Sequence, residues 1–402
     1  MPAALRYTRG VSMMDFALDP TDLDHRLRRA CTTARRGVTA LIERARYGAG
    51  LTSDEIAVLW FAPALDSDAM YDLALAVRQR HPTRLETFSP LYMTNTCDAE
   101  CRMCGMRRDN QALRRETADL ANVEAQLRVL SQRGMHAVAL LTGEYRRANR
   151  PWALDYVNQA LRVTQALRFG HTLINVGSID AEEFDTLLAG IARHDDGSVV
   201  PKLTMCTFQE TYSRSHYVKF MGADPDNPRA DFERRLTNFD RSFRAGLRVA
   251  NPGILVGLNP DLAFELTALA LHAQHLLDLG MEVYLSVPRL RQIAGGRSQG
   301  GVSDSDFIRL VALLSIGLPT CKLVVTTRED ATIQHKLVPI VTVLSAGSAA
   351  VTPYTESGAR FPLETSQFEV IDQRPFEDIL REHLPERGTI MNFDPPGAEP
   401  TL

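Results

Sequence analysis

The sequence predicts a parallel α/β fold, most simply a (β/α)8 barrel of the TIM type with an N-terminal helical extension and a short C-terminal tail. From about residue 86 onward, short apolar runs alternate with longer amphipathic stretches. Eight of these runs have the length and composition of buried strands, and helical patterns fall between most of them. Polar residues follow all eight runs, as expected where a barrel collects its functional groups.

The predicted strands are short enough to be buried and too short to be core helices. They are residues 88–95, 137–143, 172–176, 202–208, 254–258, 282–287, 322–327 and 340–345. The predicted helices between them are roughly residues 114–133, 151–167, 181–193, 228–245, 261–279 and 303–316.

The chain divides into three predicted parts. Residues 1–85 form a helical extension, because apolar positions recur at helical spacing through 23–45 and 54–79. Residues 86–372 form the barrel. Residues 373–402 form a C-terminal helix, near 375–384, and a flexible Pro-rich tail.

The composition is that of an ordinary globular protein. The 402 residues are 45% hydrophobic and 23% charged, with a net charge of −4. The basic residues are dispersed, so we expect no nucleic-acid partner. No apolar stretch reaches membrane-spanning length and the start of the sequence lacks a secretory core region, so we expect no membrane partner and a cytoplasmic location.

Three of the six cysteines, Cys97, Cys101 and Cys104, fall within eight residues. Soft thiolates select zinc or iron–sulfur centres. A structural zinc site normally has four protein ligands, and no fourth Cys or His lies nearby in the sequence. A four-iron cluster held by three thiolates keeps one iron open, and this spacing is the one used by radical S-adenosylmethionine (SAM) enzymes. Structural zinc and a chance cluster of buried cysteines remain the alternatives.

Polar residues follow the second, third and fourth predicted strands. Glu144 offers a carboxylate for an ammonium group, Ser178 offers a small hydrogen-bonding group, and Glu210 follows the fourth strand directly. Arg235 begins the next predicted helix and has the reach to contact a carboxylate. Plain turns, a structural ion pair and a surface arginine are the alternative interpretations.

Arg328 directly follows the seventh predicted strand, where a guanidinium can hold a planar carboxylate through two parallel hydrogen bonds. The alternative is an ion pair with Glu329 or Glu144 that only stabilises the loop. Tyr92 precedes the cysteines by five residues, and strand alternation leaves it pointing either into the barrel or outward. Ser345 ends the eighth strand.

Over about residues 86–372 the chain resembles the radical SAM aromatic amino-acid lyases. Besides the cysteine loop, the resemblance rests on residues 91–95, 208–212, 251–258, 285–290 and 326–329. It implies a [4Fe–4S] cluster on Cys97, Cys101 and Cys104, and SAM as second cofactor. It also implies SAM contacts, with Glu144 on the amino group and with Ser178, Glu210 and Arg235 around the ribose and carboxylate.

The resemblance further implies that Arg328 binds the substrate carboxylate with help from Tyr92 and Ser345. Stretches 98–104, 141–145 and 220–222 are closer to the tryptophan-cleaving members than to the tyrosine-cleaving ones. This implies that a 5′-deoxyadenosyl radical takes a hydrogen from the amine of L-tryptophan. Migration of the carboxyl fragment would then give 3-methyl-2-indolic acid, a building block of thiopeptide antibiotics. An external electron donor, such as flavodoxin or ferredoxin, is implied as partner.

Two other functions stay open from the sequence. One is cleavage of the Cα–Cβ bond of tyrosine or tryptophan, which forms dehydroglycine. The other is a non-catalytic binding protein stabilised by zinc or an iron–sulfur centre.

Overall fold

Eight parallel strands close into a barrel in the computed structural model, which describes residues 14–80, 82–296, 301–347, 350–352, 354, 361–387 and 390–391. The strands are β1 (Leu85–Tyr92), β2 (Ala137–Leu141), β3 (His171–Asn175), β4 (Leu203–Cys206), β5 (Val249–Asn251), β6 (Glu282–Ser286), β7 (Lys322–Thr326), β8 (Val343–Ser345) and a short outer β9 (Ile390–Met391). The helices are α1 (Pro20–Ala34), α2 (Thr39–Arg46), α3 (Ser53–Trp60), α4 (Ser67–Arg80), α5 (Leu120–Gln132), α6 (Arg150–Ala166), α7 (Glu183–Leu187), α8 (Arg214–Met221), α9 (Phe232–Leu236), α10 (Asn238–Arg244), α11 (Leu262–Asp278), α12 (Asp304–Gly317), α13 (Ala331–Leu337) and α14 (Phe376–Arg387).

The barrel closes because β1 pairs in parallel with both β2 and β8. Ser89 lies opposite Val138 on one side, and Phe88 lies opposite Ser345 on the other. The remaining strands follow in chain order from β2 to β8. The predicted (β/α)8 barrel is confirmed, and all eight strands direct their carboxyl ends to one face.

The fifth strand was predicted in the wrong place. We expected residues 254–258, but β5 is Val249–Asn251. Pro252 lacks an N–H group and ends the regular pairing after Asn251. The more apolar run beyond it makes only isolated parallel bridges to Glu210 and to the segment after β6, where Val256 N donates to Pro288 O at 2.8 Å.

Several helices also differ from the expectation. The predicted helix 228–245 is two helices, α9 and α10, which meet at Thr237. The predicted helix 181–193 is reduced to α7. Helices α8 and α13 were not predicted, because each is too short to show a helical period.

Helices α1 to α4 cover one side of the barrel, with α3 against α11 and α4 against α12. A capping box of Thr52 and Glu55 starts α3. Arg78 of α4 is buried and donates from Nε to Ser315 Oγ of α12 at 3.0 Å. Within the described residues, no helix combines the length and hydropathy needed to cross a lipid bilayer.

A segment that we call the strap, residues 361–372, crosses the mouth of the barrel. Its backbone is hydrogen-bonded to the cysteine loop and to the loops after β6 and β7. The bonds are Arg114 N to Glu364 O (2.7 Å), Gly105 N to Gln367 O (2.8 Å), Glu369 N to Gln292 O (2.9 Å) and Asp372 N to Thr327 O (3.1 Å).

Two residues of the expected C-terminal tail form a strand. Ile390–Met391 forms β9, which pairs in parallel with β1. The expected C-terminal helix is present as α14. Residues 392–402 lie outside the described residues. The division of the chain at residues 85 and 372 stays a prediction.

Charged side chains fill the opposite, N-terminal end of the barrel. Tyr284 donates to Glu86 Oε2 at 2.7 Å, and Lys322 Nζ lies 2.6 Å from a Glu282 carboxylate oxygen. Burial, together with Glu86 and Glu282, raises the pKa of Tyr284, so its hydroxyl stays a donor. Paired charges thus occupy this end and leave the carboxyl ends of the strands as the open face.

Candidate active site

A cavity of about 1280 Å³, which includes space open to solvent, lies at the carboxyl ends of the strands under the strap. It contains most of the side chains that the sequence indicated as functional. The polar or ionisable residues lining it include Cys97, Cys101, Cys104, Tyr92, Glu144, Glu210, Arg229, Arg235, Arg328, Ser345 and Gln367. The ring of polar strand ends therefore converges on one site.

The three cysteine thiols face this cavity together. Cys101 and Cys104 are buried, and Cys97 is half-buried. Cys97 Sγ accepts from two backbone N–H groups, those of Glu144 at 3.3 Å and Ala99 at 3.4 Å. Backbone donors to cysteine sulfur are among the features that tune protein-bound iron–sulfur clusters. Three soft donors around one cavity, with amides already directed at a sulfur, fit a [4Fe–4S] cluster.

Burial raises the pKa of all three cysteine thiols. The pKa of Cys97 rises to about 12, first because of burial and then because of the neighbouring Cys104. The pKa of Cys101 also rises through burial, although Arg229 opposes the rise. Because a metal binds the thiolate, the buried thiols must lose their protons when iron binds.

Gly143 lets the loop after β2 approach the cysteine loop closely. A Cβ atom at this position would lie 2.0 Å from Thr96 O and 2.7 Å from Cys97 Cβ. Real Cβ atoms do not approach backbone so closely, so only glycine fits here.

We therefore expect Gly143→Ala to displace the cysteine loop, with a loss of about 1–3 kcal/mol in stability as for other overpacked sites. Iron and sulfide per chain after anaerobic reconstitution should fall well below the wild-type content. Gly301→Ala is the matched control, because a Cβ there has no neighbour within 4 Å. Full cluster content in Gly143→Ala, with an unchanged Tm, would contradict the close-approach argument.

Beside the cysteines, two carboxylates and two guanidinium groups form one buried network. Glu144 Oε2 lies 2.9 Å from Arg235 Nη1 and 3.5 Å from Arg229 Nε. Glu210 Oε1 lies 2.9 Å from Arg229 Nη2. Ser178 does not line the cavity. It supports the network from outside the cavity, because its backbone N–H donates to Glu144 Oε1 at 3.0 Å.

The sequence reasoning missed Arg229, which follows Pro228 in an irregular segment without any strand-end pattern. Burial disfavours its charge, but Cys101, Glu210 and Glu144 favour the charge, and the pKa of Arg229 lies well above its ordinary value. Its Nε is a buried group without a hydrogen bond among the described residues. A permanent cation thus faces the cysteines.

Glu210 has a left-handed backbone conformation, with φ of 68°. Its N–H donates to Gly253 O at 3.2 Å, and its carbonyl accepts from Leu255 N at 2.9 Å. Such a conformation costs about 1–3 kcal/mol for a non-glycine residue and occurs most often at functional sites. These bonds aim the Glu210 carboxylate at Arg229.

Arg328 stands on the loop after β7 and lines the same cavity as that network. Its Nη2 lies 3.4 Å from Gln367 Oε1, and its guanidinium lies 4.5 Å from the ring centre of Phe368. No described carboxylate lies within ion-pair distance of Arg328. Glu329, the expected alternative partner, is instead held by Arg289 and Arg291, the latter at 2.6 Å.

Tyr92 and Ser345 line the same cavity as Arg328. The Tyr92 hydroxyl donates to Gln367 Oε1 at 3.0 Å. Burial raises the pKa of Tyr92 while the Arg328 charge opposes the rise. Strand alternation left the direction of Tyr92 open, and the structure directs it inward. We call Arg328, Tyr92 and Ser345 the clamp, because they stand at the ends of the neighbouring strands β7, β1 and β8 and line one cavity.

Apolar side chains line the rest of the cavity. They include Phe88, Leu141, Leu173, Phe208, Leu255, Val324 and Phe368. The cavity thus combines a cation, three thiols and an apolar wall. These features suit a small molecule that has a carboxylate and an apolar part.

Comparison with known proteins finds two similar 2-iminoacetate synthases. The 2-iminoacetate synthase of Escherichia coli strain K12 is 27% identical over 310 residues, 74% of this chain and 76% of that protein. The Salmonella typhimurium 2-iminoacetate synthase is 26% identical over the same shares. No protein-family model matches the chain.

Solved structures extend the likeness. HydG, a maturase of the [FeFe]-hydrogenase, is 28% identical with a TM-score of 0.75, covering 91% of this chain and 79% of that one. Methylornithine synthase, at 15% identity, TM-score 0.65 and coverage of 88% and 98%, shows the fold alone. These relatives, the barrel and the three thiols support the resemblance to the radical SAM aromatic amino-acid lyases, and with it a carbon–carbon lyase that has a [4Fe–4S] cluster and SAM as cofactors.

Proposed function

We propose that this enzyme cleaves the Cα–Cβ bond of a free L-aromatic amino acid, tyrosine or tryptophan, and forms 2-iminoacetate. The observation that carries the proposal is Arg328, a cation that lines the same cavity as the thiols and has no carboxylate partner among the described residues. The curated relatives are named for 2-iminoacetate, the fragment that remains when an α-amino acid loses its side chain at this bond.

When bound, the cluster and SAM supply a carbon-centred radical that removes a hydrogen atom from the substrate. In our proposal the chain itself contributes orientation. Arg328 binds the substrate carboxylate through parallel hydrogen bonds, and the Tyr92 hydroxyl and Ser345 complete the clamp. A carboxylate fixed at one end determines which substrate bond faces the thiols, and an error near 1 Å in such placement costs orders of magnitude in rate.

The network beside the cysteines is proposed to bind SAM. Glu144 would accept from its ammonium group, while Arg229 and Arg235 provide charge for its carboxylate and Glu210 accepts from its ribose. All four side chains line the cavity next to the thiols. Ser178 is proposed to act through its bond to Glu144.

The apolar wall is proposed to bind the aromatic ring and to exclude water from it. Asn251 and Ser286 lie in this wall and hydrogen-bond to each other, with Asn251 Nδ2 to Ser286 Oγ at 3.0 Å. Both groups can exchange that bond for one to a phenol or an indole N–H. The wall therefore fits either ring, the phenol of tyrosine or the indole of tryptophan.

A second candidate is the conversion of L-tryptophan to 3-methyl-2-indolic acid. The amino-acid sequences of residues 98–104, 141–145 and 220–222 favour it, because they resemble the tryptophan-cleaving radical SAM lyases. Both candidates use the same clamp and differ in which bond breaks. An external one-electron donor, such as flavodoxin or ferredoxin, belongs to either proposal.

Product analysis tests the proposal. Reduced, cluster-loaded enzyme is incubated anaerobically with SAM and either L-tyrosine or L-tryptophan, and the products are measured by mass spectrometry. We expect p-cresol or skatole, together with glyoxylate from hydrolysis of 2-iminoacetate. Formation of 3-methyl-2-indolic acid would establish the second candidate instead. If neither amino acid is consumed while control reactions lacking SAM behave identically, both candidates fail.

A further inference from the structure

Gln367, at the centre of the strap, lies between the cysteine loop and the clamp. Its carbonyl oxygen accepts from Gly105 N at 2.8 Å. A Cβ atom on Gly105 would lie 2.7 Å from Ser366 O and 2.8 Å from Gln367 O. The two backbones are therefore in direct contact one residue after Cys104, and the position of Gln367 is tied to that of the cysteine loop.

The side-chain amide of Gln367 connects to both sides. Its Oε1 accepts from the Tyr92 hydroxyl at 3.0 Å and from Arg328 Nη2 at 3.4 Å. The same amide lowers the pKa of the nearby Cys104 thiol, against the larger, raising effect of burial. Gln367 thus contacts two donors of the clamp through its side chain and the cysteine loop through its backbone.

We propose that Gln367 is a positioning residue that fixes the distance and orientation of the carboxylate clamp relative to the cysteine that holds the cluster. The proposal rests on the proposed function, since it assigns a role to the clamp within that reaction. Gln367 acts through Arg328 and Tyr92, whose donors would turn from its amide oxygen toward a substrate carboxylate.

The neutral amide suits this role better than a carboxylate. An amide oxygen orients Arg328 without cancelling its charge, so the charge stays available for the substrate. A carboxylate at the same place would form an ion pair with Arg328 and compete with the substrate. The amide also lies near the Cys104 thiol, and polar groups around the sulfur ligands affect the potential of an iron–sulfur cluster.

Three variants of the cluster-loaded enzyme test the proposal. Gln367→Met keeps the length of the side chain and removes its hydrogen bonds. Gln367→Glu keeps an acceptor and adds a charge. Glu364→Gln is the matched control, because this exposed strap residue contributes a backbone contact that the substitution preserves.

For Gln367→Met we expect KM for the amino acid to rise about 10-fold, the loss typical of a hydrogen bond to a charged group. Cleaved product per 5′-deoxyadenosine should fall, and the cluster potential should become more negative. Gln367→Glu should raise KM further, because its carboxylate occupies Arg328. Glu364→Gln should match the wild type in all three measurements.

Wild-type KM and product ratio in Gln367→Met would overturn the proposal. Equal losses in Gln367→Met and Glu364→Gln would also overturn it, because the strap would then act only as structure. If the wild type cleaves neither amino acid, the proposed function fails separately. The cluster potential then decides the contact with Cys104, and an unchanged potential in Gln367→Met rejects the positioning role.

Discussion

Cys101→Ala is expected to lose the brown colour of the cluster and all turnover, with 5′-deoxyadenosine below detection. Cys101 is buried and faces the cavity with the other two thiols, so its removal leaves two ligands for a cluster that needs three. The fold should survive, because replacing one buried sulfur by hydrogen costs about 1 kcal/mol, as for other small core truncations. Iron, sulfide and visible absorbance after anaerobic reconstitution measure the effect.

Cys321→Ala is the matched control, because Cys321 and Cys101 are each 2% exposed and Cys321 does not line the cavity. It should keep the full cluster and turnover at a similarly small cost in Tm. If Cys101→Ala retained cluster absorbance and activity, the assignment of the three thiols would be wrong. Equal losses of cluster and turnover in Cys101→Ala and Cys321→Ala would show that these buried cysteines contribute to packing and not to cluster binding.

The barrel could be predicted from the sequence because buried parallel strands appear as short apolar runs, with helical patterns between them. It misplaced β5 because the apolar run after Pro252 is longer than Val249–Asn251 itself. The contacts of that run depend on the loop after β6, distant in the sequence. Helices of five to eight residues, such as α8, have too few turns to show a period.

The site was predictable where a residue follows a strand directly. Arg328 follows the seventh predicted strand and Ser345 ends the eighth, and both line the cavity because the end of a barrel strand fixes the location of the residues there. Arg229 and Gln367 were missed because each lies in an irregular segment. Gln367 contacts Tyr92 across 275 residues of sequence, and no local pattern encodes such a contact.

The second large effect is expected for Arg328→Met, which removes the cation of the clamp and nearly preserves its size. Two charge-assisted hydrogen bonds to a carboxylate contribute together about 3 kcal/mol or more, so KM for the amino acid should rise about 100-fold or more. Some 5′-deoxyadenosine should still form, because Arg328 has no hydrogen bond or ion pair with the three thiols or with the Glu144 network among the described residues. Cleaved product per 5′-deoxyadenosine, measured by mass spectrometry over a range of amino-acid concentrations, separates the two effects.

Arg328→Lys and Arg114→Met complete this test. Lysine keeps the charge but loses the planar pair of donors, so it should recover part of the affinity and little of the coupling to product. Arg114 belongs to the cysteine loop but is 67% exposed and pairs with Glu116, so its replacement should change neither quantity. Unchanged product yield in Arg328→Met would show that Arg328 does not bind the substrate carboxylate, and this part of the proposed function would be wrong. A loss of 5′-deoxyadenosine as complete as the loss of product would instead place Arg328 in the SAM site, because only a residue needed before substrate cleavage would affect both equally.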